Sequence, residues 1–244
     1  MPERTDRPAF YALAPGGWRD YWTLLHPPYT IWHLSYVAIG ASLAPEPDLR
    51  WLGETLLAFF LAVGLAAHAL DELRGRPLST RIPGGMLWGI AVAGMGGAVA
   101  LGIDGAIEVS PWILAFIAFG GSVVVAYNLE LFGGAFHSDL WFAAAWGGFP
   151  ALTGSFAQTG RISVPSVLVA VACAALSFAQ RTLSAPVRRL RRNVRGVSGE
   201  LSLDDGSTEP LDAAALRRAP ERALRWLSIA MPLLAAGLIA ARLS

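Results

Sequence analysis

The sequence predicts an all-α protein, a polytopic transmembrane helical bundle of about seven spans. Two observations carry this. Of 244 residues, 54% are hydrophobic and only 15% charged, whereas soluble domains carry about a quarter charged residues. The apolar residues also fall in runs of membrane length, each needing about 20 residues.

The N-terminal stretch MPERTDRPAF lacks an apolar core, so it does not read as a secretory leader. WRDYWTLLHPPYTIWH follows, with Trp18, Tyr21 and Trp22 among few charges. That pattern predicts a helix lying in the membrane interface. Pro27 and Pro28 end it. His26, just before the prolines, is expected at the exposed surface. The spans are expected near Tyr29–Leu43, Trp51–Leu73, Gly84–Ile103, Pro111–Leu131, Leu140–Gln158, Val164 to about Leu183, and Ala223–Leu243. Gly and Ala fill the third span, which permits close helix approach. Residues 1–28 thus form an N-terminal segment and 29–244 one transmembrane domain, with a long loop over about 188–222.

All 19 basic residues are Arg. With no Lys, Schiff-base chemistry is excluded. A net charge of +1 gives no argument for nucleic acid. Arg4, Arg7, Arg19, Arg74, Arg76, Arg81 and the cluster from Arg181 to Arg225 share one side of the predicted topology; Arg50, Arg161 and Arg242 lie on the other. The basic side is expected to be cytoplasmic, so the N-terminus faces the cytoplasm of a cell inner membrane and the C-terminus lies outside. Cys173 is single and rules out an intrachain disulfide.

The polar residues that matter interrupt or end apolar runs. His68, Asp71 and Glu72 stand at i, i+3 and i+4 at the end of the second span, on one side of a helix. Ionisable groups at such a depth need partners, a cation or water. Arg74, Arg76 and Arg81 follow at once. Acids beside guanidinium groups suit a metal and an anion, with plain Arg–carboxylate pairing as the alternative. His33, Tyr127, Asn128, Glu130, His137, Gln180 and Arg181 all fall near the same membrane face. Ser138 and Asp139 read as the N-cap of the fifth span. The long loop reads as a solvated connector touching anionic lipid, or as a lid whose Arg residues clamp phosphate.

Three stretches resemble the UbiA superfamily of intramembrane prenyltransferases. HALDELRGRPLSTRIP is similar to the family's first acidic motif, with Arg76, Pro77 and Leu78 matching its Arg-Pro-Leu element. AYNLELFGGAFHSDLWFAAAWGGFPALTG resembles the end of its fourth helix and its fifth, through Tyr127, Gly147, Gly148, Pro150 and Gly154. HPPYTIWHLSYVAIGA is similar to the opening of its first. The resemblance implies a helical bundle with a central cavity. In it, Mg²⁺ and Arg would hold an isoprenoid diphosphate, and prenyl transfer or terpene cyclisation would follow. It assigns catalysis to His68, Asp71, Glu72 and Tyr127, and substrate binding to Arg74, Arg76, Asn128, Arg181 and His33. Asp71, Glu72, His68, His137 and Glu130 would form the metal set. Where the family carries a second acidic motif, this chain reads SFAQRTLSAPVRRLRR.

Two alternatives stand beside that expectation. Imidazole suits Fe, Zn or Cu better than Mg²⁺, so the same His/carboxylate set fits a metal-dependent oxidoreductase or hydrolase of a lipophilic substrate. A non-catalytic lipid-binding protein is the other. The lipid bilayer is a partner in all three readings.

Overall fold

A computed structural model describes residues 7–244, so Arg4 lies outside the described residues. The fold is mostly helical. A short α1 (Trp18–Leu24) precedes α2 (Pro27–Ala41). Then α3 (Leu49–Phe59), a π-helical stretch (Phe60–Ala67) and α4 (His68–Leu73) run on as one helix, Leu49–Leu73. Next come α5 (Gly84–Glu108), α6 (Ile113–Asn128) and the single turn α7 (Leu131–Gly134). A second broken helix joins α8 (Asp139–Ala143), a π stretch (Ala144–Gly148) and α9 (Phe149–Thr159). The long α10 (Val164–Arg192) and α11 (Ala213–Leu243) follow, separated by a hairpin of β1 (Glu200–Ser202) and β2 (Thr208–Pro210).

Among the described residues, four helices are long and apolar enough to cross a membrane: Leu49–Leu73, Gly84–Glu108, Val164–Arg192 and Ala213–Leu243. Helix α6 is apolar but spans 16 residues, and α2 spans 15. Val92, Leu168 and Leu233 on the long helices each expose about two-thirds of their surface, as lipid-facing positions do.

The helix starts follow from their caps. Asp48 accepts from the Arg50 and Trp51 amides, Ser163 and Ser166 form a reciprocal capping box, and Asp212 accepts from the Ala215 amide. Two boundaries differ from expectation. Helix α10 runs nine residues past Leu183 to Arg192, and α11 starts ten residues before Ala223. Arg is a strong helix former, so the basic run extends the helix instead of ending it. The connector shrinks to 193–212, and the expected all-α chain gains a hairpin. Its turn is set by Asp205, whose Oδ1 accepts from the Ser207 amide, and by Gly206 at φ 81.

The tightest helix crossing joins α2 and α9. A Cβ at Gly40 would overlap the Ala151 carbonyl, and one at Gly154 the Val37 carbonyl. Beside it Trp32 and Tyr36 are fully buried, with Trp32 Nε1 donating to Tyr36 Oη (2.6 Å). The amphipathic character expected before the first span holds: α1 exposes Trp18, Tyr21 and Trp22 and buries Asp20, Thr23 and Leu24. Asp20 accepts from the Arg81 amide, which ties α1 to the turn after α4.

Candidate functional site

The ends of α2, α4, α6 and α10 converge on a cavity of about 350 Å³. The π stretch leads into its first wall. His68 follows it and donates from Nδ1 to the Gly64 carbonyl (3.1 Å). That bond leaves Nε2 as the lone-pair nitrogen. Asp71, one turn on, faces the same cavity, and its carboxylate accepts no hydrogen bond among the described residues. π-Helical segments are frequent at functional sites.

Glu72 does something else. It is fully buried and accepts from the Leu78 amide (2.9 Å), the Thr80 amide (2.9 Å) and the Thr80 hydroxyl (2.8 Å). Adjacent helical residues point about 100° apart, so Asp71 enters the cavity while Glu72 turns into the following loop. There it clips a turn in which Arg76 (φ 54) and Ser79 (φ 56) hold left-handed backbone. Arg76 donates to the Ile82 carbonyl (2.6 Å) and is not part of the cavity wall. Neither Glu72, expected among the catalytic and metal-binding residues, nor Arg76, expected to bind substrate, lines the cavity.

The remaining expected residues meet. Tyr127, Asn128, Glu130, His137, His33 and Arg181 all line the cavity. His33 Nε2 donates to Gln180 Oε1 (3.2 Å), joining α2 to α10. His137 Nδ1 donates to the Tyr127 carbonyl (3.2 Å), and the two rings stack at 4.5 Å. Glu130 pairs with Arg74 (3.0 Å) and Asp139 with Arg181 (2.6 Å). Ser138 rather than Asp139 caps α8, accepting from the Trp141 amide. Asn128 is buried and donates to the Val124 carbonyl.

Several wall residues lie outside the expected set. His26, expected at the surface, stacks on His68 with ring centroids 4.3 Å apart, and Tyr11 donates its hydroxyl to His26 Nδ1 (2.6 Å). Burial, reinforced by neighbouring His68, pushes the His26 imidazole well below its ordinary 6.5. Burial likewise raises the Tyr11 hydroxyl well above 10. His26 also sits at φ 47 as the N-cap of α2, a left-handed conformation costing about 1–3 kcal/mol. The N-terminal residues Pro8–Tyr11 roof the cavity. Arg191 and Arg192 donate to the Arg7 and Pro8 carbonyls, and Arg225 lies over the Phe10 ring. No motif marks these contacts; only the prolonged α10, which carries Arg181, Ser184, Arg188 and Arg192 on one face, brings them about.

The wall carries four guanidinium groups, Arg74, Arg181, Arg188 and Arg192, against the carboxylates Asp71 and Glu130. Its floor holds Tyr127, Phe142 and Trp146, with Phe142 and Trp146 stacked at 5.7 Å and Arg181 over Phe142. Among the described residues, three buried polar atoms on the wall have no partner: His26 Nε2, His33 Nδ1 and the Tyr127 hydroxyl. Buried polar atoms are normally satisfied, so these three mark where a ligand or water belongs. Among the described residues, no three His, Cys, Asp or Glu side chains group closely enough to hold a metal.

No known protein family, curated protein or solved structure matches this chain.

Proposed function

We propose that this chain is an intramembrane enzyme acting on an isoprenoid diphosphate, by prenyl transfer to a lipid-soluble acceptor or by cyclisation. In this reading it adopts a UbiA-like arrangement of about seven spans, with α2, α6 and the α8–α9 helix as the three beyond the long four. Its N-terminus is cytoplasmic and its C-terminus lies outside the inner membrane. One observation carries the reading: four Arg side chains and the rings of Tyr127, Phe142 and Trp146 wall the same cavity. A diphosphate needs guanidinium groups to take up its charge. An allylic cation needs aromatic faces and little water.

The chemistry follows from these groups. The carbon–oxygen bond to the diphosphate breaks, and its electron pair leaves on the phosphate oxygen toward Arg188 and Arg181. The allylic cation sits over the aromatic floor. The nucleophile attacks it and loses its proton to the Nε2 lone pair of His68, which the Gly64 carbonyl holds in the right tautomer.

A pair of Mg²⁺ ions does not fit the donor set, because Glu72 is consumed by three hydrogen bonds and Glu130 by Arg74. Asp71 alone suits a Mg²⁺ arriving already chelated by diphosphate oxygens, since that ion needs only one or two carboxylates besides phosphate and water. There it would share in neutralising the leaving group.

The test uses purified protein with allylic diphosphates of increasing length and the matching free alcohols. The diphosphates should raise the melting temperature with Mg²⁺ present, the alcohols should not, and pyrophosphate should be released. Stabilisation without release, with a membrane-lipid extract supplied as the source of acceptor, would move the protein to the lipid-binding reading. No response to any diphosphate would end the proposal.

A further inference from the structure

A second cavity, of about 130 Å³, lies on the other side of Trp146 from the arginine-lined one, among α3, α5, α6 and α9. Its wall is almost entirely apolar, including Phe59, Phe116 and Phe149. At its far end stands one acid, Glu54. Glu54 Oε1 accepts from Arg50 Nε (2.8 Å), and Arg50 is also bound to Asp104 (2.8 Å). Glu54 Oε2 is buried with no partner among the described residues. The nearby hydroxyls do not serve it, because Thr55 donates to the Trp51 carbonyl and Thr153 to the Phe149 carbonyl.

A carboxylate oxygen left unpaired in an apolar wall is costly. The missing partner is a hydrogen-bond donor, and the rest of the wall demands that it be carried on an apolar body. From Glu54 to Val63, both in the wall, the helix rises about 14 Å. An extended chain of roughly eleven carbons covers that distance at about 1.25 Å per carbon, in keeping with the reach of extended chains. Glu54 and His68 are fourteen residues apart along the same helix, so this end is remote from the arginine cavity.

We propose that this cavity binds a second lipophilic molecule, a medium-chain amphiphile whose single hydroxyl or amine donates to Glu54 Oε2 and whose chain ends against Trp146. The inference does not depend on the isoprenoid reading.

The test uses a photoreactive dodecanol and its dodecane counterpart on the full-length protein in nanodiscs, with the labelled residues mapped by mass spectrometry. Dodecanol should label α3, α5 or α6 residues of this cavity saturably, and excess unlabelled dodecanol, but not dodecane, should compete. Glu54→Leu should weaken apparent affinity about ten- to a hundredfold, the worth of a charge-assisted hydrogen bond. Glu54→Gln, which keeps an acceptor oxygen, should weaken it less. Because Glu54 also anchors Arg50, a second variant, Ala62→Phe, fills the cavity and leaves the acid in place; it too should abolish saturable labelling. Equal labelling by the hydrocarbon, or labelling indifferent to both Glu54→Leu and Ala62→Phe, overturns the proposal.

Discussion

Asp71 and Glu72 are neighbours of the same chemical type, and the structure assigns them opposite work. Glu72→Ala removes the acceptor for two backbone amides and one hydroxyl in a fully buried setting. Each amide left unsatisfied costs about 1–3 kcal/mol. The Thr80 hydroxyl can rotate to another acceptor, so it adds little. The two amides alone give about 2–6 kcal/mol, and the turn they hold also stores left-handed backbone at Arg76 and Ser79, worth about 1–3 kcal/mol each. We expect Glu72→Ala to lose about 4 kcal/mol of stability. Glu72→Gln should lose about half of that, since an amide keeps one acceptor oxygen and turns an N–H toward a donor. Thr80→Val should lose about 1 kcal/mol, one ordinary hydrogen bond. Asp71→Asn, which breaks no hydrogen bond, should stay within about 0.5 kcal/mol yet reduce diphosphate binding in the presence of Mg²⁺. The assay is unfolding in mixed micelles followed by circular dichroism, paired with ligand titration of each variant. If Glu72→Ala unfolds like the parent while losing ligand affinity as Asp71→Asn does, Glu72 is a ligand-binding residue and the geometry has been misread.

Three further outcomes follow. Arg188→Gln should weaken diphosphate affinity about ten- to a hundredfold, the worth of a charge-assisted bond, with unchanged stability, as read by titration calorimetry. His26 has a folded pKa well below 6.5, so below pH 6.5 the unfolded chain takes up a proton that the folded one refuses. Stability should fall as pH drops, by up to about 1.4 kcal/mol per unit from this residue, and His26→Gln should flatten that slope in unfolding titrations between pH 7.5 and 5. Gly154→Leu should prevent α2 and α9 from closing, because its Cβ alone meets the Val37 carbonyl. The expected readout is aggregation on size-exclusion chromatography, whereas Gly237→Leu, with open space around it, should elute normally.

Much of the site was legible because ionisable residues stand out against apolar runs. His33, His68, Asp71, Tyr127, Glu130, His137 and Arg181 all lie at the ends of greasy segments, and all reach one cavity. The division between Asp71 and Glu72 was not legible. Spacing gives the helical angle, but not which side the neighbouring turn will bind. His26 and Tyr11 were invisible for a related reason: they meet only because the N-terminal segment folds back under α10. Both π stretches lack a sequence signature, since an extra residue per turn is set by packing. Spans were read well where apolar runs were long, as in α5, and poorly where helix-forming arginines carried a helix beyond its apolar part, as in α10.

The roof formed by Pro8–Tyr11 has a practical side. A bulky reporter attached at Pro8 or Ala9 would sit in the segment that covers the arginine cavity and would disturb what it reports on. The opposite terminus is safer. Arg242 bonds the Ser42 carbonyl (2.8 Å), so the final turn of α11 is moored beside the far end of α2. A label on that last turn of α11 rides beside α2's far end, away from the residues that line the arginine cavity.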